Sequence, residues 1–350
     1  MVQIFTLTLP MAPNETTADP LNERTRELES SAAIDRVLLG YSAIWPHNHA
    51  YAPHMLAMTK RLGVILAHRP GVMDPAAAAR YFSTLDVVSG GRLAINLVIG
   101  GSETDIHREG DYTEKADRYE RAIEYLDVVR ETWSNPESFD HHGRFYTEDR
   151  VKQLIRPVNS QIPIYMGGDS DAAIDFGARH ADLYMLWGEP LAGTRERIER
   201  VKAAAAGYGR SPQFSLSLRL FLGETDEAAW EAAHKAERAI LDAQGSNTFM
   251  RSSKTDASVG RERQLAFAQE EVHDDIFWTR LVTLLGGFAN SAALVGTPDR
   301  VIEALKKYRA LGVDAFLFTT GAHGAWDARL EGFVTEVKRA LARQSPTVRV

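Results

Sequence analysis

The segment Met166-Gly167-Gly168-Asp169-Ser170-Asp171 places two glycines directly after an apolar run and a capping Ser or Asp just before helical periodicity begins. Glycines there free backbone N–H groups, and the helix N-terminus beyond them carries partial positive charge, so a phosphate is a natural guest. The same residues would also suit a plain strand-to-helix turn closed by an N-cap. A second glycine pair, in Asn96-Leu97-Val98-Ile99-Gly100-Gly101, would let a flat ligand approach the backbone. Ser89-Gly90-Gly91-Arg92 reads as a turn between a helix and the next strand.

His68 and Trp187 each end an apolar run, in Leu66-Ala67-His68-Arg69-Pro70 and Leu186-Trp187-Gly188-Glu189-Pro190. His68 could face a reaction or make a structural hydrogen bond; Trp187 could wall a pocket or cap the core. His47, His49 and His54 lie close together, but their spacing matches no zinc motif and carboxylates are absent nearby, so they read as polar loop lining and no metal is expected. A nucleophile elbow, a phosphate loop ending in Gly-Lys-Ser/Thr, an HExxH pair and a dinucleotide GxGxxG are all missing. What remains suits a bound cofactor that brings its own reactivity.

The elements that must position these residues alternate along the chain. Short β-rich runs fall at Val2 to Leu9, Val37 to Leu39, Val64 to Ala67, Leu93 to Ile99, Ile164 to Met166, Leu183 to Leu186, Phe214 to Leu222 and Ala315 to Thr319. Between them run amphipathic helices, of which Glu114 to Trp133 is clearest, with Tyr119, Ile123, Leu126, Val129 and Trp133 at three- and four-residue spacing. The others are Pro75 to Val88, Ala172 to His180, Thr194 to Ala206, Asp226 to Ala243, Pro298 to Leu311 and Ala325 to Ala342. Strand then helix, repeated in this way, predicts an α/β fold: a single (β/α)8 TIM barrel, with a doubly wound open sheet as the alternative. In a barrel the chemistry sits in the loops after each strand. Residues 1–350 read as one domain with insertions at about 136–157, a small hairpin around His141-His142-Gly143-Arg144, and at about 245–274, a long polar loop of the kind that forms lids.

Composition removes several classes. Lys and Arg total 40 against 47 Asp and Glu, a net charge of −7, with 44% hydrophobic and 25% charged residues, as in ordinary soluble domains. Mild acidity and scattered basic residues argue against a nucleic-acid partner. The absence of cysteine removes disulfides, thiolate metal sites and cysteine nucleophiles. No apolar run reaches the ~18 residues a membrane helix needs, and the N-terminus lacks a signal-peptide pattern, so a cytoplasmic location is expected.

Several strings together resemble the bacterial luciferase-like, flavin-dependent monooxygenase superfamily, nearest its alkanesulfonate monooxygenase branch. They are Ala79-Arg80 with Thr84-Leu85-Asp86, Ser89-Gly90-Gly91-Arg92, Asn96-Leu97-Val98, Asp117-Arg118-Tyr119 and Gly167-Gly168-Asp169-Ser170-Asp171. Asp182-Leu183-Tyr184, Trp187-Gly188-Glu189-Pro190, Glu224-Thr225 before Trp230, and Ala293-Leu294-Val295-Gly296 follow in order. The resemblance implies a barrel, dimeric or tetrameric, that binds reduced FMN supplied by a separate NAD(P)H-dependent flavin reductase. Oxygen then gives a peroxyflavin, which an apolar pocket shields while it oxygenates a small substrate. It further implies that the Gly167, Gly168, Asp169, Ser170 loop and Tyr119 contact the phosphate, that Asn96, His68 and Ser42 lie along the flavin, and that the stretch around Lys254-Thr255-Asp256 is a mobile lid.

Departures from the branch bear on substrate. Sulfonate-cleaving relatives carry Arg-x-His where this chain has Ser217-Leu218-Arg219, an Arg where it has Leu285, a Tyr where it has Ala322 and a Cys where it has Ala43. Losing a charge-assisted clamp weakens sulfonate binding by about 1.5 to 3 kcal/mol per contact. Arg219 and Arg69 could instead form a different anion site. The expectation is a two-component monooxygenase acting on an organosulfur compound, a sulfonate or an amine, with His68, Trp187 and Arg219 closest to the substrate. The rival readings are a flavin- or deazaflavin-dependent dehydrogenase and a non-catalytic flavin-binding relative.

Overall fold

The computed structural model describes residues 2–8, 17–243, 258–287, 291–320 and 328–342. In chain order the first half runs β1 (Gln3–Thr8), α1 (Asp19–Ser30), β2 (Arg36–Leu39), α2 (Asn48–Met58), β3 (Gly63–His68), α3 (Pro75–Ser89), β4 (Leu93–Leu97), α4 (Glu103–Arg108) and α5 (Lys115–Ser134). A hairpin of β5 (Phe139–His142) and β6 (Thr147–Val151) follows, then β7 (Ile164–Met166), α6 (Asp171–His180), β8 (Leu183–Trp187), α7 (Leu191–Gly207), β9 (Gln213–Leu222) and α8 (Asp226–Ala243). The remainder is α9 (Val259–Phe267), β10 (Val272–His273), β11 (Phe277–Trp278), α10 (Arg280–Leu284), β12 (Ala293–Gly296), α11 (Pro298–Ala310), β13 (Ala315–Thr320) and α12 (Ala328–Ala342).

Eight of these strands close a parallel barrel in the order β1, β2, β3, β4, β7, β8, β9, β13 and back to β1. They are the eight runs expected from sequence. Parallel strands in a barrel are covered on both faces, which is why they read as continuous apolar runs; every residue of β3 is buried. Phe5, Ile65, Ala94, Tyr165, Leu183, Ala315 and Leu317 fill the interior. The opposite parity of each strand packs under the helices. On the side of β2 to β7 these outward residues meet Phe82 of α3 and Tyr125 and Trp133 of α5, and on the other side Phe214 of β9 and Phe316 and Phe318 of β13 are the strand residues that pack outward. Each such large side chain contributes about 1.5–3 kcal/mol by leaving water.

Local signals set the helix ends. Pro75 occupies the first turn of α3 and Gly90, at φ 69°, ends it. The N–H of Gly90 donates to the Val87 carbonyl at 3.0 Å and that of Gly91 to Asp86 at 2.8 Å, satisfying carbonyls the helix leaves open. The hairpin lies where the first insertion was expected. It is pinned by Glu124 of α5, whose carboxylate accepts from the backbone N–H groups of Arg144, Phe145 and Tyr146.

The second insertion falls partly among the described residues. Residues 245–257, with Lys254-Thr255-Asp256, lie outside the described residues; the rest forms α9 and β10. Strand β9 runs ten residues, longer than its neighbour requires. Its pairing with β8 ends at Trp187 opposite Ser217, and β12 then takes the same edge with Ala293 opposite Arg219. The antiparallel β11 and β10 extend from β12, and Trp278, Ala293 and Val295 pack with Ala229 and Ala233 of α8. Among the described residues no helix is long and apolar enough to cross a membrane.

Candidate active site

A cavity of about 380 Å³ opens at the C-terminal rim of the barrel, the face where barrel chemistry is placed. All barrel strands but β3 supply lining: Leu7, Leu38, Asn96, Met166, Met185, Ser217 and Leu317 come from the other seven. Alternation aims all but Met166 inward; Met166 follows the interior Tyr165 and reaches the cavity at the strand's end. Asn96 lies two residues beyond the interior Ala94, Met185 two beyond Leu183, and Leu317 two beyond Ala315. The register lays these ends side by side, with Asn96 opposite Tyr165, Leu97 opposite Met166, and Met166 opposite Tyr184. The floor is therefore apolar, with the Asn96 amide and Ser217 hydroxyl as isolated polar groups, a pattern typical of cofactor pockets.

Gly167, Gly168, Asp169 and Ser170 form one wall between β7 and α6. A Cβ on Gly167 would lie 2.2 Å from the Met185 carbonyl oxygen, and one on Gly168 would lie 2.6 Å from the Ala173 Cβ, so both positions exclude side chains. Ser170 caps α6, its Oγ accepting from the Ala173 N–H at 3.2 Å. The first N–H groups of the helix beyond this cap have no intrahelical acceptor. Tyr119 of α5, also on the cavity, lies beside Ser170; burial raises its pKa, opposed by Ser170 and by Arg118.

Asp169 brings a carboxylate to this wall, and burial pushes its pKa up. Arg197 of α7, itself buried, compensates it with an ion pair at 2.5 Å. The N-terminus of α9 closes the cavity further through Ser258, Val259 and Gly260. Gly260 sits so near Asp169 and Trp187 that an added Cβ would meet the Asp169 Oδ2 at 2.3 Å. Gln264 donates to the Gly188 carbonyl at 3.1 Å. Arg263 clasps the buried Glu189 through two bonds, of 2.7 and 2.9 Å, and reaches Glu196 at 2.8 Å.

Of the residues singled out from sequence, Asn96, Tyr119, Gly167, Gly168, Asp169, Ser170 and Trp187 all line this one cavity. His68, Ser42 and Arg219 are not among its described lining residues. His68 has the opposite parity from Ile65 and Ala67 on β3, so its ring points out of the barrel, under α3 and α5. It is fully buried there, hydrogen-bonded to the Tyr125 hydroxyl at 2.7 Å and the His49 ring at 3.0 Å, with Phe82 edge-on. Burial and the neighbouring imidazoles hold His68 well below the ordinary histidine pKa and push His49 down to about 4.

The other members of the histidine cluster are placed differently from the loop expected. His49 and His54 belong to α2, and His54 turns to Asn22 at 2.7 Å. Ser42 donates to Asp105 at 2.8 Å. Arg69 is taken up by Asp105 at 3.0 Å and Glu109 at 2.6 Å, so its charge is already compensated and the anion site envisaged with Arg219 lacks this partner. Arg219 lies at the rim between Ala293 of β12 and Thr319 of β13, and burial lowers its pKa. Ala322 lies outside the described residues. Sequence reasoning did not single out Lys115, Val259 and Gly260, which also line the cavity. For Lys115 the available signal was its place one helical turn before Tyr119.

A family model described as luciferase-like monooxygenase matches residues 1–315. The chain belongs to that family. It is accordingly an enzyme of the oxidoreductase class. Solved structures share the fold at low identity. A riboflavin lyase, determined with modified FMN and the substrate riboflavin, has a TM-score of 0.78 at 17% identity, covering 99% of this chain and 94% of that one. The EDTA monooxygenase from Chelativorans sp. BNC1 gives 0.72 at 18%, covering 97% and 93%. An F420-dependent secondary alcohol dehydrogenase in complex with an F420-acetone adduct gives 0.69 at 15%, covering 97% and 99%.

Proposed function

We propose that this luciferase-like protein is a two-component monooxygenase that takes reduced FMN from a separate NAD(P)H-dependent flavin reductase and uses O2 to oxygenate a small organic substrate. The observation that carries this reading is the wall of Gly167 to Ser170 with Tyr119, a built anion cradle, opening directly onto an apolar cavity. The residues fit the cofactor. Two positions that admit no side chain, a helix N-terminus and the Tyr119 hydroxyl suit a phosphate, and the apolar floor with Asn96 suits a flat ring system. Bound there, the flavin would supply the oxygen chemistry.

The protein's own part is to orient and to exclude water. Leu7, Leu38, Met185 and Leu317 keep the floor dry, and Trp187 with the start of α9 shields the mouth. Trp187 is the residue among those expected near substrate that reaches the cavity. Among the described residues, the charged side chains lining it are Lys115 and the compensated Asp169, which supports a neutral or amine-bearing substrate, a neutral organosulfur compound or an amine to be hydroxylated, over a sulfonate. We take the chain as one cytoplasmic barrel domain that assembles as a dimer or tetramer.

Anaerobic titration with reduced FMN tests the reading: saturable binding at one site per chain is expected. With a reductase supplied, the product oxygen should come from isotopically labelled O2. Turnover without oxygen would favour the second reading, a hydride-transferring flavin or deazaflavin dehydrogenase, which the fold likeness to the alcohol dehydrogenase keeps in view. Flavin binding without any product would favour a non-catalytic binder.

A further inference from the structure

We propose that Lys115 is the cationic counter-group of the cofactor phosphate, and that it gives this site its preference for a phosphorylated flavin. The inference rests on the cofactor reading above and goes beyond it by naming the residue that supplies the charge.

Lys115 stands at the first position of α5 and lines the cavity together with Tyr119, one turn further on. Residues four apart share a helix face, so the ammonium group and the Tyr119 hydroxyl belong to the same wall. Tyr119 in turn lies beside Ser170, the cap of α6, on the same cavity. The lysine is thus brought to the end of the cavity where the helix N-terminus is aimed.

The position is unfavourable for a cation on local grounds. A helix N-terminus carries partial positive charge and stabilises acidic residues, so a lysine in the first turn opposes the dipole of its own helix. The adjacent charges of that turn are tied up: Asp117 pairs with Arg144 at 2.8 Å on the surface, and the buried Arg118 pairs with Glu103. Lys115 has no carboxylate partner among the described residues. Asp169, the one carboxylate on the cavity wall among the described residues, is paired with Arg197. A local violation with no protein partner to offset it is expected where a ligand provides the compensation. A phosphate dianion held by backbone N–H groups and a tyrosine hydroxyl alone would otherwise lack a counter-charge from this wall.

Calorimetric titration under anaerobic conditions with reduced FMN, and with reduced riboflavin, which lacks the phosphate, provides the test. The wild-type chain should bind FMN more tightly, and its FMN affinity should fall with ionic strength. Lys115→Gln should weaken FMN binding about tenfold, leave riboflavin binding unchanged and flatten the salt dependence; Lys115→Arg should retain most of the preference. If the wild type prefers FMN and Lys115→Gln keeps that preference, or loses both ligands equally with an unchanged melting temperature, the role of Lys115 is overturned while the cofactor reading stands. If the wild type binds riboflavin as tightly as FMN, the phosphate cradle itself is overturned and the lysine assignment falls with it.

Discussion

Gly167 approaches Met185 so closely that the Cβ of any other residue would lie 2.2 Å from the Met185 carbonyl oxygen. The contact is backbone to backbone between the end of β7 and β8, and it cannot be relieved by turning a side chain. It fixes the spacing of the wall that leads to Ser170.

Gly167→Ala should therefore force the two strands apart and destabilise the fold by about 1–3 kcal/mol, as overpacking does. Gly100, on the β4 side of the cavity, has nothing within 4 Å of where its Cβ would be. Gly100→Ala should melt within a degree or two of wild type yet weaken flavin binding if a ring lies against that backbone. Melting temperature and flavin affinity, measured on both variants, separate a packing constraint from a ligand constraint.

The His49 and His68 rings give a pH dependence whose sign follows from burial. Both are held neutral in the folded chain, His49 with a pKa of about 4 against 6.5 for an ordinary histidine. Below pH 6.5 the unfolded chain takes up protons that the folded chain refuses. Stability should thus be complete above pH 6.5 and decline as pH falls toward 4, with His49 contributing about 3 kcal/mol across that window. Urea midpoints at pH 7.5 and 4.5 measure the decline. His49→Gln should flatten it; an unchanged slope would reject the assignment.

The clasp of Arg263 on Glu189 holds α9 over the cavity. Removing the guanidinium leaves a buried carboxylate without its partner, so Arg263→Met should destabilise by about 3 kcal/mol, near the lower end for breaking a buried pair because Arg263 is partly exposed. The double variant with Glu189→Gln should recover part of that loss, and a double-mutant cycle reads the coupling. Flavin affinity should fall in the single variant as the Val259 and Gly260 wall loosens.

Trp187 is 37% exposed and reaches the cavity from the end of β8. Trp187→Ala should lower stability by only about 1 kcal/mol, because much of the ring already faces solvent. It should remove a large part of the fluorescence quenching seen when flavin binds, and should broaden the range of substrates accepted. Unchanged quenching would place the flavin away from this wall.

The barrel was legible because each parallel strand is a short apolar run and each covering helix an amphipathic one. The same property hid part of the site. Where both faces of a strand are apolar, sequence does not show which parity points inward. His68 was accordingly expected at the flavin because it ends a strand, whereas Asn96 and Trp187, chosen on the same ground, do face the cavity. Helix α2 was missed because Pro53 interrupts it and its apolar residues form no single stripe. Strands β10 and β11 are two residues each, too short for periodicity. The Gly167 to Ser170 turn was readable because its chemistry is local. Lys115 and Gly260 were not singled out, because what matters about them is which distant segment they meet.

The change of partner along β9, from β8 below to β12 above, leaves the cylinder with one raised lip. The lower courses of the wall are shared by all eight staves and, with a flavin bound as proposed, would set the grip on what lies deep inside. The lip, carrying Arg219, is braced from a separate spur and can be recut independently of the staves beneath. Selection acting on that spur would retune which molecules gain entry while leaving the machinery underneath untouched.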